Sequence, residues 1–80
     1  IGDWNVKNVT DMECMFATSE FNQPLDKWDV SGVQSMQSMF WRIKKFNQDI
    51  SDWKINKRCK ISDMFRLCNI DTKNKPIRIF

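Results

Sequence analysis

The sequence predicts an α/β solenoid, with short parallel strands on one side and short helices on the other. The first observation behind this is an internal repeat. Trp4, Trp28 and Trp53 stand 24 and 25 residues apart, and each is followed by an aliphatic two residues on (Val6, Val30, Ile55) and an apolar residue eight on (Met12, Met36, Ile61). A Met-Phe pair then recurs as Met15-Phe16, Met39-Phe40 and Met64-Phe65. Repeats of this length are units that cannot bury an apolar face alone but form a continuous core when stacked. The second observation is that each unit changes periodicity, from two around the Trp to a helical one downstream.

The elements follow in order. Units span residues 1–25, 26–50 and 51–75, with a closing strand at 76–80, all in a single domain. Around each Trp the alternation places Trp and the next aliphatic on one face, which predicts strands at about 4–6, 28–30 and 53–55. Ile77 and Ile79 replay Trp28 and Val30, which predicts the closing strand. Downstream, Val9, Met12, Met15 and Phe16, and again Val33, Met36, Met39 and Phe40, follow the spacing of one helix face. In the first unit a Thr10-x-x-Glu13 capping box supports that helix. Phe21-Asn22-Gln23 and Phe46-Asn47-Gln48 suit a return turn in which Asn satisfies backbone groups. Trp4, Trp28, Trp53 and the methionines are thereby assigned to the core.

Composition bounds the rest. Eighty residues, 41% apolar and 29% charged, fit one small folded domain. No apolar run is long enough for a transmembrane helix. The chain has no His and no Tyr, which removes the commonest general base and metal ligand. Cys14, Cys59 and Cys68 are odd in number and form no CxxC pair, so they indicate neither a disulfide framework nor a zinc site.

The phrases Phe21-Asn22-Gln23-Pro24-Leu25-Asp26-Lys27-Trp28-Asp29-Val30-Ser31 and Phe46-Asn47-Gln48-Asp49-Ile50-Ser51-Asp52-Trp53, each leading to a Met-Phe pair, resemble the surface-protein repeats of mycoplasma lipoproteins and BspA-like proteins. Those repeats also occur in protists and large DNA viruses and are regarded as distant leucine-rich-repeat relatives. The resemblance covers residues 1 to about 70. It implies a leucine-rich-repeat-like fold, a setting at a cell or virion surface, and no catalytic residues to carry over. Relatives run to many repeats, which implies that this chain is a fragment of a longer one. The third unit departs from the pattern: Arg58 stands where Val9 and Val33 stand, and the Phe-Asn-Gln return is replaced by Ile70-Asp71-Thr72.

Asp3, Asp29 and Asp52 recur near the strands, but nothing supplies a nucleophile or a matched acid partner, so no enzyme is expected. No cofactor, metal or small-molecule substrate is expected either. The strands instead offer a polar row for partner binding: Asp3, Asn5, Lys7; Lys27, Asp29, Ser31; Asp52, Lys54, Asn56. Trp41 breaks the repeat, where other units carry Ala17 and Arg66, and joins the row as a candidate contact. The expected role is a non-catalytic repeat module for protein–protein interaction or structural assembly, with other protein chains as partners. Charge runs from −3 over residues 1–25 through +1 over 26–50 to +5 over 51–80. The basic last third, with Lys54, Lys57, Arg58 and Lys60, leaves nucleic-acid or polyanion binding as the alternative. That alternative is the weaker one, because no repeated exposed aromatic interleaves the basic residues.

Overall fold

The residue after the Trp sets the local backbone. Asn5 and Asp29 each aim a side-chain oxygen at the backbone N–H two residues on, which Lys7 and Ser31 donate at 3.1 Å. In the third unit Asn56 accepts from the Arg58 amide at 2.8 Å. Such Asx turns offer the backbone an alternative to strand pairing. In the computed structural model, which describes residues 1–77, the strands expected at 4–6, 28–30 and 53–55 do not form. The Trp segments are instead bracketed by tight turns. The amides of Trp4, Trp28 and Trp53 donate to the carbonyls of Ile1, Leu25 and Ile50, three residues back.

The expected helices are also replaced, and the backbone amides show why. Met15, Ala17 and Ser19 donate three residues back, to Met12, Cys14 and Phe16. The intervening amides of Met12, Cys14, Phe16 and Thr18 donate across to the carbonyls of Ser35, Gln37, Met39 and Trp41, at 2.8–3.0 Å. The second unit repeats this: Met36, Ser38, Phe40 and Arg42 donate to Lys60, Ser62, Met64 and Arg66 at 2.7–3.0 Å. An α-helix would direct its interior amides to its own carbonyls four residues back, leaving none for a neighbour. Here alternate amides close consecutive turns and hold the next coil. The turns require left-handed backbone at Cys14, Thr18, Ser38, Arg42, Asp63 and Leu67, with φ of 56–59° and none of them Gly.

The α/β leucine-rich-repeat-like solenoid is therefore corrected. Among the described residues the regular structure is one short 3-10 helix, Thr72–Asn74, and two isolated parallel bridges, Asp11 to Ser35 and Ser35 to Lys60. The rest is stacked turns. Glu13 does not close a capping box; its carboxylate accepts from the Ser35 hydroxyl at 2.8 Å. Of the closing strand, Ile77 is 87% exposed and residues 78–80 lie outside the described residues.

Stacked rings hold the coils together. Phe16, Phe40 and Phe65 form one column, with centroids 5.7 and 5.5 Å apart, and Phe21 stacks over Phe46 at 6.1 Å. Trp28 and Trp53 lie 6.4 Å apart and nearly parallel. Each indole N–H donates into the preceding coil, Trp28 to the Ile1 carbonyl and Trp53 to that of Leu25. Trp4, expected in the core, is instead 54% exposed, and Met15 is 39% exposed. Both belong to the first coil, which has a neighbouring coil on one side within the described residues.

The return turns carry a second ladder. Asn22 Oδ1 accepts the backbone N–H of Asn47, and Asn47 Oδ1 accepts that of Asp71. Gln48 clamps Asn22 through its amide, and Asn74 clamps Asn47 in the same way. Asp71 and Asn74 thus replace the Phe-Asn-Gln return missing from the third unit. The other irregularity there is absorbed by a slip: the Asn56–Cys59 turn closes one residue later than the Val30–Val33 turn. Cys59, 3% exposed, then points inward and Arg58 stays outside. Close approach of the first two coils also fixes Gly2, where a Cβ would collide with the Pro24 carbonyl.

Candidate functional site

The expected polar row is exposed throughout: Asp3, Asn5, Lys7, Lys27, Asp29, Ser31, Asp52, Lys54 and Asn56 all face solvent. It is not a strand face, and several members are occupied in shaping the backbone. Asp29 accepts from both the hydroxyl and the amide of Ser31, at 2.6 and 3.1 Å. These bonds hold its carboxyl below the usual carboxylate range, the hydroxyl contributing most, then the amide, with Lys7 adding a smaller attraction. Asp49 is lowered in the same way by Ser51, with Lys73 nearby. Both carboxyls are therefore fixed anions at neutral pH rather than proton donors.

The row is divided between grooves. Asp3 and Lys27 line one of about 370 Å³ with Gly2, Gln23, Pro24 and Asp26. Asn56 lines another of about 320 Å³ with Gln34, Arg58, Cys59 and Lys60. Trp41 lies apart from both. It is half-buried and forms a groove of about 370 Å³ with Cys14, Ser38, Asp63, Arg66 and Leu67. The Arg42 guanidinium sits 5.3 Å from its ring centroid. Trp41 is thus presented on one side of the ladder, beside the left-handed positions Cys14, Ser38 and Asp63.

Sequence reasoning did not single out Arg42, nor Asp11 and Lys60 as members of one column. The signal for the column was available: Asp11, Ser35 and Lys60 all stand seven residues past a Trp. Buried polar chemistry is sparse. Ser35 is the buried polar residue of the described chain, and its hydroxyl is bonded to Glu13. Every buried side-chain nitrogen or oxygen among the described residues has a partner. Among the described residues Cys14, Cys59 and Cys68 form no disulfide, and burial pushes the thiol of Cys68 up. Among the described residues no three Cys, Asp or Glu side chains gather as metal ligands.

Among the described residues no helix is long and apolar enough to cross a membrane. No curated protein and no solved structure matches the sequence. A family model does match, over residues 1–78, so nearly the whole length is accounted for. The chain belongs to the family described as Mycoplasma protein of unknown function, DUF285.

Proposed function

We propose that the chain is a non-catalytic module that binds other protein chains, in a surface-associated or structural assembly. The observation that carries this reading is the groove around Trp41. A half-buried Trp with a guanidinium against its ring and Arg66 beside it brings together the residue types enriched among binding hot spots, and the 61% exposed Leu67 adds apolar surface next to them. Phe16, Phe21, Phe40, Phe46, Phe65, Trp28 and Trp53 are spent in the stacked rings that join the coils. What faces solvent is a mixed-charge polar surface with locally fixed side chains, which loses less freedom on contact than mobile ones.

The test is site-specific photocrosslinking on the source cells, with the photoreactive group at Leu67 and, as control, at Asn8. Discrete adducts from position 67, competed by excess unlabelled chain and lost with Trp41→Ala, support the reading. Identical adducts from both positions, indifferent to Trp41→Ala, refute it. Polyanion binding is a second reading, favoured by Arg58 and Lys60 lining a single groove. Salt-sensitive retention on a polyanion column, lost with Arg58→Ala and Lys60→Ala, would establish it in place of the first.

A further inference from the structure

The middle coil departs from the repeat at one place. Four residues, Ala17-Thr18-Ser19-Glu20, separate Phe16 from Phe21, and four, Arg66-Leu67-Cys68-Asn69, separate Phe65 from Ile70. Between Phe40 and Phe46 there are five, Trp41-Arg42-Ile43-Lys44-Lys45. The added residue leaves the packing as it was, since the ring pairs Phe16–Phe21 and Phe40–Phe46 stack alike at 4.1 and 4.4 Å. What the longer segment adds lies outside: Ile43 is fully buried, Trp41 is half-buried, and Arg42, Lys44 and Lys45 are exposed. The exposure of these three bases owes nothing to where the sequence begins or ends, because the middle coil has a coil on each side.

The segment is held from both sides. The Trp41 carbonyl accepts from the Thr18 amide at 2.8 Å, and the Arg42 amide donates to the Arg66 carbonyl at 2.9 Å. The Asn69 side chain donates to the Lys44 carbonyl at 3.2 Å. The stacked pair of Arg42 and Trp41 then forms a wall between two grooves. Trp41 lines the one already described, and Arg42 lines a second of about 240 Å³ with Thr18, Ser19, Glu20, Lys44 and Lys45. Charge across the two grooves is unbalanced, with four bases, Arg42, Lys44, Lys45 and Arg66, against two acids, Glu20 and Asp63. Both acids are engaged, Glu20 by Lys45 at 3.3 Å and Asp63 by Arg66 at 3.8 Å. Arg42 and Lys44 meet no carboxylate among the described residues.

We infer that this surface docks an acidic segment of a partner protein, whose carboxylates lie on Arg42 and Lys44 and whose apolar side chain lies in the Trp41 groove. This rests on the protein-binding reading and names the chemistry of the partner. A guanidinium offers a carboxylate two parallel N–H donors, and Arg42, already seated against Trp41, loses less freedom on contact than a mobile arginine. Single-stranded nucleic acid fits less well, because it needs successive exposed rings for its bases. Here there is one ring, and Arg42 covers one of its faces. Each exposed charge contributes modestly, so affinity is moderate and falls with salt.

Fluorescence anisotropy tests this with a short labelled peptide of glutamates around a central leucine. The comparison probes are a peptide of glutamines around the same leucine, one of glutamates around a serine, and a single-stranded oligothymidylate. At low salt the glutamate–leucine peptide should bind at least about fivefold tighter than either peptide counterpart, and about 0.5 M salt should abolish its advantage over the glutamine one. Arg42→Gln and Lys44→Gln should each weaken it about three- to fivefold, and Trp41→Ala about tenfold. Glu20→Gln, which releases Lys45, should strengthen it about twofold. Unchanged denaturant midpoints for Arg42→Gln and Lys44→Gln show that binding and not folding is lost. Equal binding of the glutamate and glutamine peptides overturns the proposal, as does an equal loss with Arg58→Gln and Lys60→Gln, which lie in another groove. Tighter binding of the oligothymidylate, lost with Arg42→Gln, replaces the acidic segment by nucleic acid. Leu67 adducts that are lost with Trp41→Ala but indifferent to Arg42→Gln and Lys44→Gln retain the protein-binding reading and reject the acidic partner.

Discussion

The side-chain carbonyl of Asn47 accepts the backbone N–H of Asp71 at 2.8 Å, while the Asn47 amide donates to the Asp71 carboxylate at 3.1 Å. One side chain thereby joins two coils whose backbones form no ladder at that point. Asn74 adds two more hydrogen bonds to the same residue, at its carbonyl and its Oδ1. Asn47→Ala should cost about 1–2 kcal/mol, given the modest net worth of each exposed bond. Chemical denaturation gives the number, and a change within about 0.3 kcal/mol would show that water replaces these bonds without loss.

Trp28 and Trp4 occupy equivalent repeat positions in different surroundings. Trp28 is 4% exposed, stacked on Trp53 and 6.0 Å from Phe16. Trp28→Ala should cost about 3–5 kcal/mol, which threatens the folding of so small a domain. Trp4→Ala should cost about 1 kcal/mol or less. Similar denaturant midpoints for the two variants would contradict the packing.

Thr18 holds a left-handed backbone, φ 58°, with a β-branched side chain that disfavours it. Its hydroxyl bonds to the neighbouring Ala17 carbonyl, at 2.6 Å. Thr18→Gly should therefore stabilise the fold, by about 0.5–1 kcal/mol, the relief of strain exceeding the added chain entropy. A lower melting temperature for this variant would show that the turn does not need that conformation.

Asp29 and Asp49 have folded-state carboxyls lowered from 3.8 by the serines that bond them. A lowered carboxyl stabilises the fold above its unfolded value, and that contribution is lost as pH falls through the folded value. Stability should thus decline below about pH 4, and the decline should be shallower in an Asp29→Asn, Asp49→Asn double variant. Parallel acid-unfolding curves for the two proteins would remove these carboxyls from the account.

Much of this organisation was legible in the sequence, but not the backbone that realises it. Val33, Met36, Met39 and Phe40 were expected on one apolar face, and all four are buried. The spacing is the same whether the chain makes helical turns or consecutive tight turns that close every three residues, so periodicity could not separate the two. What separates them is the destination of the Ser38 and Phe40 amides, the carbonyls of Ser62 and Met64 in the next coil. The Trp segments misled for a local reason: Asn5 and Asp29 were read as outward strand residues, yet their oxygens close the backbone on itself. The Asn22–Asn47 return was readable as a turn with bonding Asn side chains. Its continuation through Asp71 and Asn74 was hidden because neither residue belongs to the Phe-Asn-Gln phrase. Of the candidate site, the exposure of the polar row was legible and its division among grooves was not. Trp41 stood out because it breaks the repeat, whereas Arg42 against its ring lies in no pattern.

Alternate amides leave their own coil to hold the next. Through-hydrogen-bond scalar couplings between amide nitrogen and carbonyl carbon test it most directly, since they identify each donor's acceptor. Couplings are expected from Cys14 to Gln37, from Ser38 to Ser62 and from Phe40 to Met64. Couplings from Ser38 to Gln34 and from Phe40 to Met36, the four-residue pattern of an α-helix, would contradict it.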